Sequence, residues 1–198
     1  ALWPRFSIWW LSVICGVKYE IQGFENIPDQ PVIIMCKHSS TWETMAMQGL
    51  FPPQAWIVKR ELFWVPVFGW ALYMINPIAI DRSKGRRAME QLLDQGANRL
   101  DQGFNVAIFP EGTRIDAGKK GKYKIGGALL AEKTGAPVVP VAHNAGYFWP
   151  KHGFSKKPGH IKMIIGEPID TKGMSASQIN QRVEEWIESR VAKISVTE

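Results

Sequence analysis

The sequence predicts an α/β domain with a mainly parallel or mixed central sheet flanked by helices. Short apolar runs typical of buried strands alternate along the chain with longer segments that have the apolar spacing of helices. At 198 residues the chain is long enough for one domain with a substantial core. Hydrophobic residues make up 45% and charged residues 21%, which is ordinary globular usage and argues against a disordered or polytopic membrane protein. We therefore treat residues 1–198 as a single domain.

The strand and helix candidates follow one another in this alternating order. The predicted strands are PVIIMC at 31–36, NVAIF at 105–109, PVVPVA at 137–142 and HIKMIIG at 160–166. The predicted helices are 42–51, 83–103, 126–135 and 175–194. The last of these carries one apolar stripe, made of Ile179, Val183, Trp186, Ile187, Val191 and Ile194. We interpret this stripe as packing against the core.

Two uncharged segments raise the question of membrane contact. The segment at 6–17 has 12 residues, which is too short to span a bilayer, and its tryptophans suit either a membrane interface or a core helix. The segment at 62–80 has 19 residues, but Pro66, Gly69 and Pro77 interrupt it and favour two shorter elements. The chain begins at Ala1 without a methionine, so we expect that an N-terminal segment, such as a membrane anchor, precedes it and that residues 1–19 form a membrane-proximal helix.

The charge of the chain favours an anionic partner. Lys and Arg outnumber Asp and Glu by 24 to 18, giving a net charge of +6. This excess suits phosphate, nucleic acid or an anionic bilayer surface, and it equally suits a solvated basic surface. The two cysteines, Cys15 and Cys36, have no metal or disulfide spacing and indicate a reducing compartment.

The first candidate loop, KHSSTWE at 37–43, follows a predicted buried strand directly. His38 and Glu43 are five residues apart, or about 140° on a continuous helix, so they can meet only if His38 precedes the helix. A histidine held by a carboxylate is a competent general base. The alternative is a capping box, in which Glu43 accepts a hydrogen bond from the Ser40 amide.

The second candidate loop, FPEGTR at 109–114, also follows a predicted strand. Pro110 and Gly112 predict a tight turn that leaves backbone amides and Arg114 available to an anion. A structural turn with a solvated arginine is the alternative. Because the carboxyl ends of parallel strands meet at one edge of a sheet, both loops are expected at a shared ligand site.

Several enzyme classes lack their usual signals in this chain. There is no G-x-S-x-G elbow of a serine hydrolase and no glycine-rich nucleotide-binding motif. The histidines at 143, 152 and 160 show no zinc-site spacing with the cysteines.

Four motifs together resemble those of the glycerolipid acyltransferases in order and spacing: KHSSTWE, IDR at 80–82, FPEGTR, and VVPV at 138–141. The resemblance covers about residues 20–170. The chain departs from the family pattern in having Glu43 where an aspartate is usual, and Lys37 where an asparagine often precedes the histidine. The longer glutamate side chain can still reach the imidazole.

The resemblance implies the glycerolipid acyltransferase fold and transfer of an acyl group from a thioester to the 2-hydroxyl of lysophosphatidic acid, giving phosphatidic acid. His38 would take the hydroxyl proton, and Glu43 would orient His38. Arg114 would bind the acceptor phosphate, while Glu111 would hold the loop or a neighbouring arginine. The acceptor-binding candidates are then Lys59, Arg82, Glu111, Gly112, Thr113 and Arg114. Lys59 and Arg82 also suit structural ion pairs.

The resemblance further implies acyl-CoA or acyl carrier protein as donor, no cofactor or metal, and no nucleic acid. A bilayer-resident acceptor predicts a membrane surface as partner, at the cytoplasmic face of a bacterial inner membrane. The lysines at 119, 120, 122 and 124 suit head groups, donor phosphates or a solvated basic loop. Open alternatives are another acceptor, such as glycerol 3-phosphate or an aminolipid, and a noncatalytic membrane-binding module.

Overall fold

The computed structural model describes residues 2–66, 70, 77–81, 84–151 and 155–195. The strands are β1 (Val17–Gln22), β2 (Ile33–Cys36), β3 (Gln54–Lys59), β4 (Ile78–Ile80), β5 (Asn105–Ile108), β6 (Val138–His143) and β7 (Gly159–Ile165). The helices are α1 (Leu2–Cys15), α2 (Trp42–Leu50), α3 (Arg86–Asp101), α4 (Gly126–Thr134) and α5 (Ala176–Ser195). Short 3-10 turns lie at Phe24–Asn26, Arg60–Trp64 and Ala145–Tyr147.

The strands form one mixed sheet in the order β1-β7-β6-β2-β5-β3-β4. All neighbours are parallel except β6 and β7, which pair antiparallel. The predicted fold class is confirmed, since a largely parallel sheet with helices on both faces is what alternating strands and helices produce.

The sheet is covered on both faces, which explains why its central strand is continuously apolar. In β2, Ile33 and Met35 face one core, to which α3, α4 and α5 contribute. Ile34 and Cys36 face a second core, to which α1 and α2 contribute. Every side chain of β2 is therefore buried.

The four predicted strands correspond to β2, β5, β6 and β7, and the four predicted helices correspond to α2, α3, α4 and α5. Strands β1, β3 and β4 were not predicted. Strand β1 is mostly exposed and its sequence has no apolar run, and β4 has only three residues. Strand β3 contains the apolar run AWIV at 55–58, a strand signal that the prediction overlooked. In α5 the apolar stripe packs on the core as expected, with Ile179, Val183 and Ile187 fully buried.

Helix α1 packs against α2 but leaves its four aromatic side chains exposed. Its exposed large side chains are Trp3, Phe6, Trp9, Trp10, Val13 and Ile14. Trp64 and Trp70 are also exposed, at 83% and 74%. Among the described residues, no helix has the length and apolarity needed to cross a bilayer. Of the apolar segment at 62–80, residues 67–69 and 71–76 lie outside the described residues.

Candidate active site

The two candidate loops meet at one edge of the sheet. Strands β2 and β5 are parallel neighbours, with Met35 paired to Ile108, so both deliver their following loops to the same edge. The amide of His38 donates to Oε2 of Glu111 over 2.8 Å, and the amide of Ile115 donates to the carbonyl of His38 over 2.7 Å. The two loops are therefore joined by hydrogen bonds in both directions.

His38 and Glu43 form the side-chain pair that their spacing allows. Nδ1 of His38 lies 2.9 Å from Oε1 of Glu43, which is the second residue of α2 and is completely buried. The imidazole stacks on Phe109, with the ring centroids 3.8 Å apart. When Nδ1–H donates to Glu43, the neutral ring has its lone pair on Nε2, which can accept a proton from a hydroxyl group.

The capping alternative is present at the same carboxylate. Oε1 of Glu43 also accepts the amides of Ser39 and Ser40, at 3.1 and 3.0 Å. Oγ of Ser40 instead accepts the amide of Trp42, and Thr41 occupies the N-cap position, so the reciprocal half of a capping box is not formed. The hydrogen bonds from the Ser39 and Ser40 amides thus fix the loop before α2 and also hold the Glu43 carboxylate next to His38.

A second histidine, His143, lies behind this pair at the end of β6. Its Nδ1 accepts the amide of Ala145 over 3.2 Å, which leaves Nε2–H to donate to the carbonyl of Lys37 over 2.8 Å. Nε2 also lies 3.7 Å from Oε2 of Glu43. Burial lowers the pKa of His143, while the charge of Glu43 acts in the opposite direction. The sequence-based prediction did not include His143 in the site. Its position at the end of β6, a strand parallel to β2, could have indicated it.

Lys37 is buried and contacts a group of polar side chains. We call Lys37, Glu111, Tyr123 and Glu188 together the Lys37 cluster. The Lys37 ammonium lies 3.0 Å from Oε1 of Glu111 and 2.8 Å from Oε1 of Glu188. The Tyr123 hydroxyl donates to the same oxygen of Glu188 over 2.8 Å. Burial raises the pKa of Glu111, and the Lys37 charge and the His38 amide oppose that shift. Burial and the nearby carboxylates also raise the pKa of Tyr123.

The Lys37 cluster joins the site to the C-terminal helix, because Glu188 belongs to α5. It also accounts for Glu111, whose side chain is fully buried and which bonds the backbone of the histidine loop. The structure thus gives Glu111 a loop-holding position instead of one that faces a ligand.

Of the remaining predicted residues, Gly112, Thr113, Arg114 and Lys59 lie at or near the same sheet edge. Gly112 has a φ of +68°, which strains any residue with a side chain, and its amide donates to the carbonyl of Phe109. Thr113 is exposed and Arg114 is partly buried. Lys59 ends β3, which is parallel to β5, and is exposed. Arg82 lies outside the described residues.

A cavity of about 460 Å³ opens beside His38, within the usual size range of small-molecule sites. Its lining is mostly apolar and includes Trp56, Ile57, Met89, Leu92, Gly126 and Gly127. Besides His38, Lys124 is the titratable side chain among the described residues that line it. The described residues contain no cluster of side chains suited to hold a metal ion.

We predict that Lys37→Met destabilises the fold by about 3–5 kcal/mol, because it leaves Glu111 buried without its counter-charge. Urea unfolding followed by circular dichroism measures this loss. Lys133→Ala, which removes an ion pair whose partners are both exposed, is the control and should shift the midpoint little. Equal urea midpoints for Lys37→Met and Lys133→Ala would contradict the conclusion that the buried Lys37–Glu111 ion pair is needed for stability.

We predict that His143 makes stability depend on pH. Its folded pKa lies below the ordinary value of 6.5, so the unfolded chain binds the extra proton first, and stability falls as pH decreases below about 6.5. One such group contributes a slope of up to about 1.4 kcal/mol per pH unit. Urea unfolding at pH 7.5 and pH 5 should show a smaller loss for His143→Gln than for wild type, and equal losses would refute the prediction.

Comparisons with known proteins identify the family of this chain. Residues 18–144 match the family model described as Acyltransferase. The chain is 48% identical to the 1-acyl-sn-glycerol-3-phosphate acyltransferase of Pseudomonas aeruginosa, over 98% of this chain and 76% of that protein. It is 32% identical to the chloroplastic enzyme BAT2 of Brassica napus, over 80% of this chain, and so spans about half the length of that relative.

A solved structure has the same fold. The crystal structure of the 1-acyl-sn-glycerophosphate (LPA) acyltransferase PlsC from Thermotoga maritima superposes with a TM-score of 0.82 at 29% identity, covering 98% of this chain and 78% of that one. The family match extends from β1 to just beyond β6 and thus includes both loops of the site. By sequence and by fold, this chain belongs to the acyltransferase family.

Proposed function

We propose that this chain transfers a fatty acyl group from an acyl thioester to the 2-hydroxyl of lysophosphatidic acid, forming phosphatidic acid for phospholipid synthesis. The observation that carries the proposal is the His38–Glu43 pair beside a largely apolar cavity. The Pseudomonas and Thermotoga relatives are both named as acyltransferases of 1-acylglycerol phosphate, which supports the same acceptor.

In the proposed reaction, His38 acts as the general base. Nε2 takes the proton from the 2-hydroxyl as that oxygen attacks the thioester carbonyl, and the tetrahedral intermediate collapses with cleavage of the carbon–sulfur bond. The departing thiolate then receives the proton from the imidazolium. Glu43 keeps Nδ1 protonated and stabilises the imidazolium charge between the two steps. No covalent acyl-enzyme intermediate is needed.

The apolar part of the cavity is the proposed site of the donor's acyl chain. Phe109, Met89 and Leu92 line it, and hydrocarbon gains about 0.8 kcal/mol for each buried methylene. Acyl-CoA and acyl carrier protein remain equal candidates as donors, since both present the same thioester. The reaction as proposed uses no cofactor.

A membrane surface is the proposed partner for the exposed aromatic side chains of α1. Tryptophan is favoured where an apolar slab meets water, and Trp3, Trp9 and Trp10 are all about half exposed or more. A net charge of +6 favours an anionic bilayer. Because both candidate donors are cytoplasmic molecules, we propose that the chain acts at the cytoplasmic face of a bacterial inner membrane, bound peripherally or through an N-terminal anchor.

The test is acyl transfer by purified protein on vesicles that contain lysophosphatidic acid and acyl-CoA, with thiol release and phosphatidic acid followed together. His38→Ala should lower kcat by at least about 10²-fold, the usual contribution of a general base. His160→Ala is the matched control, because His160 is exposed on β7. Thiol release without phosphatidic acid would indicate a thioesterase. A His38→Ala variant as active as wild type would exclude His38 as the base.

A second test concerns the acyl chain. Ala88 lines the cavity from α3, so Ala88→Phe should shorten the preferred chain. Loss of one or two buried methylenes, at about 0.8 kcal/mol each, lowers the ratio of kcat/KM for long over short acyl-CoA roughly four- to fifteenfold. Ala192→Phe, on the exposed side of α5, is the control. An unchanged ratio in Ala88→Phe would place the acyl chain elsewhere.

A further inference from the structure

Lys124 is attached to the second loop of the site. It lies two residues before α4, and its amide donates to the carbonyl of Pro110 over 2.8 Å. Its side chain lines the same cavity as His38. This backbone hydrogen bond therefore fixes the position of the Lys124 main chain relative to the FPEGTR turn.

The side chain of Lys124 lies directly over Gly112. A Cβ atom added to Gly112 would be only 2.6 Å from Nζ of Lys124, and 2.9 and 3.1 Å from its Cε and Cδ. Gly112 thus serves two purposes: it adopts the positive φ of the turn, and it leaves the space that the lysine stem occupies.

Lys124 differs from Lys119 and Lys120 in its partners. Lys119 pairs with Asp116, and Lys120 pairs with Glu184. The ammonium of Lys124 has no hydrogen bond or ion pair with the described part of the chain. Lys124 is an exposed residue that lines a mostly apolar cavity, and its ammonium, which has no carboxylate partner in the described part of the chain, is available to an anionic group of a ligand.

The chemistry of the substrates identifies that group. In lysophosphatidic acid the phosphate is bonded to the carbon next to the one that bears the 2-hydroxyl. In acyl-CoA the phosphates lie at the far end of the pantetheine arm from the thioester. A cation that shares a cavity with the general base is therefore placed for the phosphate of the acceptor.

We propose that Lys124, held over Gly112, binds the phosphate of the acceptor while the acceptor hydroxyl lies at His38. The proposal rests on the proposed function and adds a phosphate-binding residue that lies outside the FPEGTR motif. Lys124 determines specificity for a phosphate-bearing acceptor, because an uncharged monoacylglycerol makes no ion pair with it.

The test is a comparison of Lys124→Met with wild type, since methionine keeps the apolar stem that lines the cavity and removes the charge. The KM for lysophosphatidic acid should rise at least about tenfold, as expected for loss of one hydrogen bond to a charged group. The KM for acyl-CoA should stay within about twofold. Lys124→Arg should recover part of the loss. Lys122→Ala is the matched control, because Lys122 is an exposed lysine of the same loop that is not among the described residues lining the cavity.

A binding measurement separates this inference from the proposed function. Calorimetric titration with lysophosphatidic acid and with 1-monoacylglycerol of equal chain length should show that wild type prefers the phosphate-bearing lipid and that Lys124→Met does not. A wild-type protein that forms no phosphatidic acid would overturn the proposed function, whereas this preference can be measured without turnover.

Three outcomes would overturn the assignment of Lys124 itself. The first is active wild type with unchanged lysophosphatidic acid KM and binding in Lys124→Met. The second is a rise in the acyl-CoA KM alone, which would assign Lys124 to the donor phosphates. The third is a fall in kcat with unchanged KM and binding, which would assign Lys124 to the chemical step.

Discussion

The buried ion pair between Lys37 and Glu111 is the interaction on which the site depends most. It joins the loop after β2 to the loop after β5, and Glu111 uses its other oxygen to accept the amide of His38. Neither charge can be left alone in the interior, so each loop requires the other to be in place. Glu188 adds a second carboxylate from α5 and thereby makes the C-terminal helix part of the same arrangement.

Glu43 provides the second constraint on the site. One of its oxygens accepts three donors, two from the backbone of the histidine loop and one from the imidazole of His38. A carboxylate held by three donors has little freedom to turn, so the orientation of the imidazole is set before any substrate binds. Such preorganisation avoids reorganisation during the reaction, which is the main advantage of a buried site over water. His143 closes the space behind Glu43 and is itself fixed by two backbone hydrogen bonds.

Much of the fold was predictable because it follows from local patterns. The interior strands β2, β5 and β6 are buried on both faces and therefore appear as short apolar runs, and α5 shows a complete apolar stripe at helical spacing. Strands β1 and β4 were not predicted, because exposure in β1 and the short length of β4 remove the apolar signal. Strand β3 was not predicted although its AWIV run is apolar. The order of the strands and the antiparallel pairing of β6 with β7 depend on contacts between distant segments, which local patterns do not contain.

The sequence by itself determined the alternation of strands and helices, the two polar loops at strand ends, and the reach of Glu43 to His38, since all of these depend on residues close together in the chain. Only the tertiary structure decided the role of Lys37, whose carboxylate partners come 74 and 151 residues later. The same holds for His143, which is 106 residues from the carbonyl that it contacts. These contacts are strong because they are buried. Burial results from packing between segments that are distant in the sequence, so no local sequence pattern predicts it.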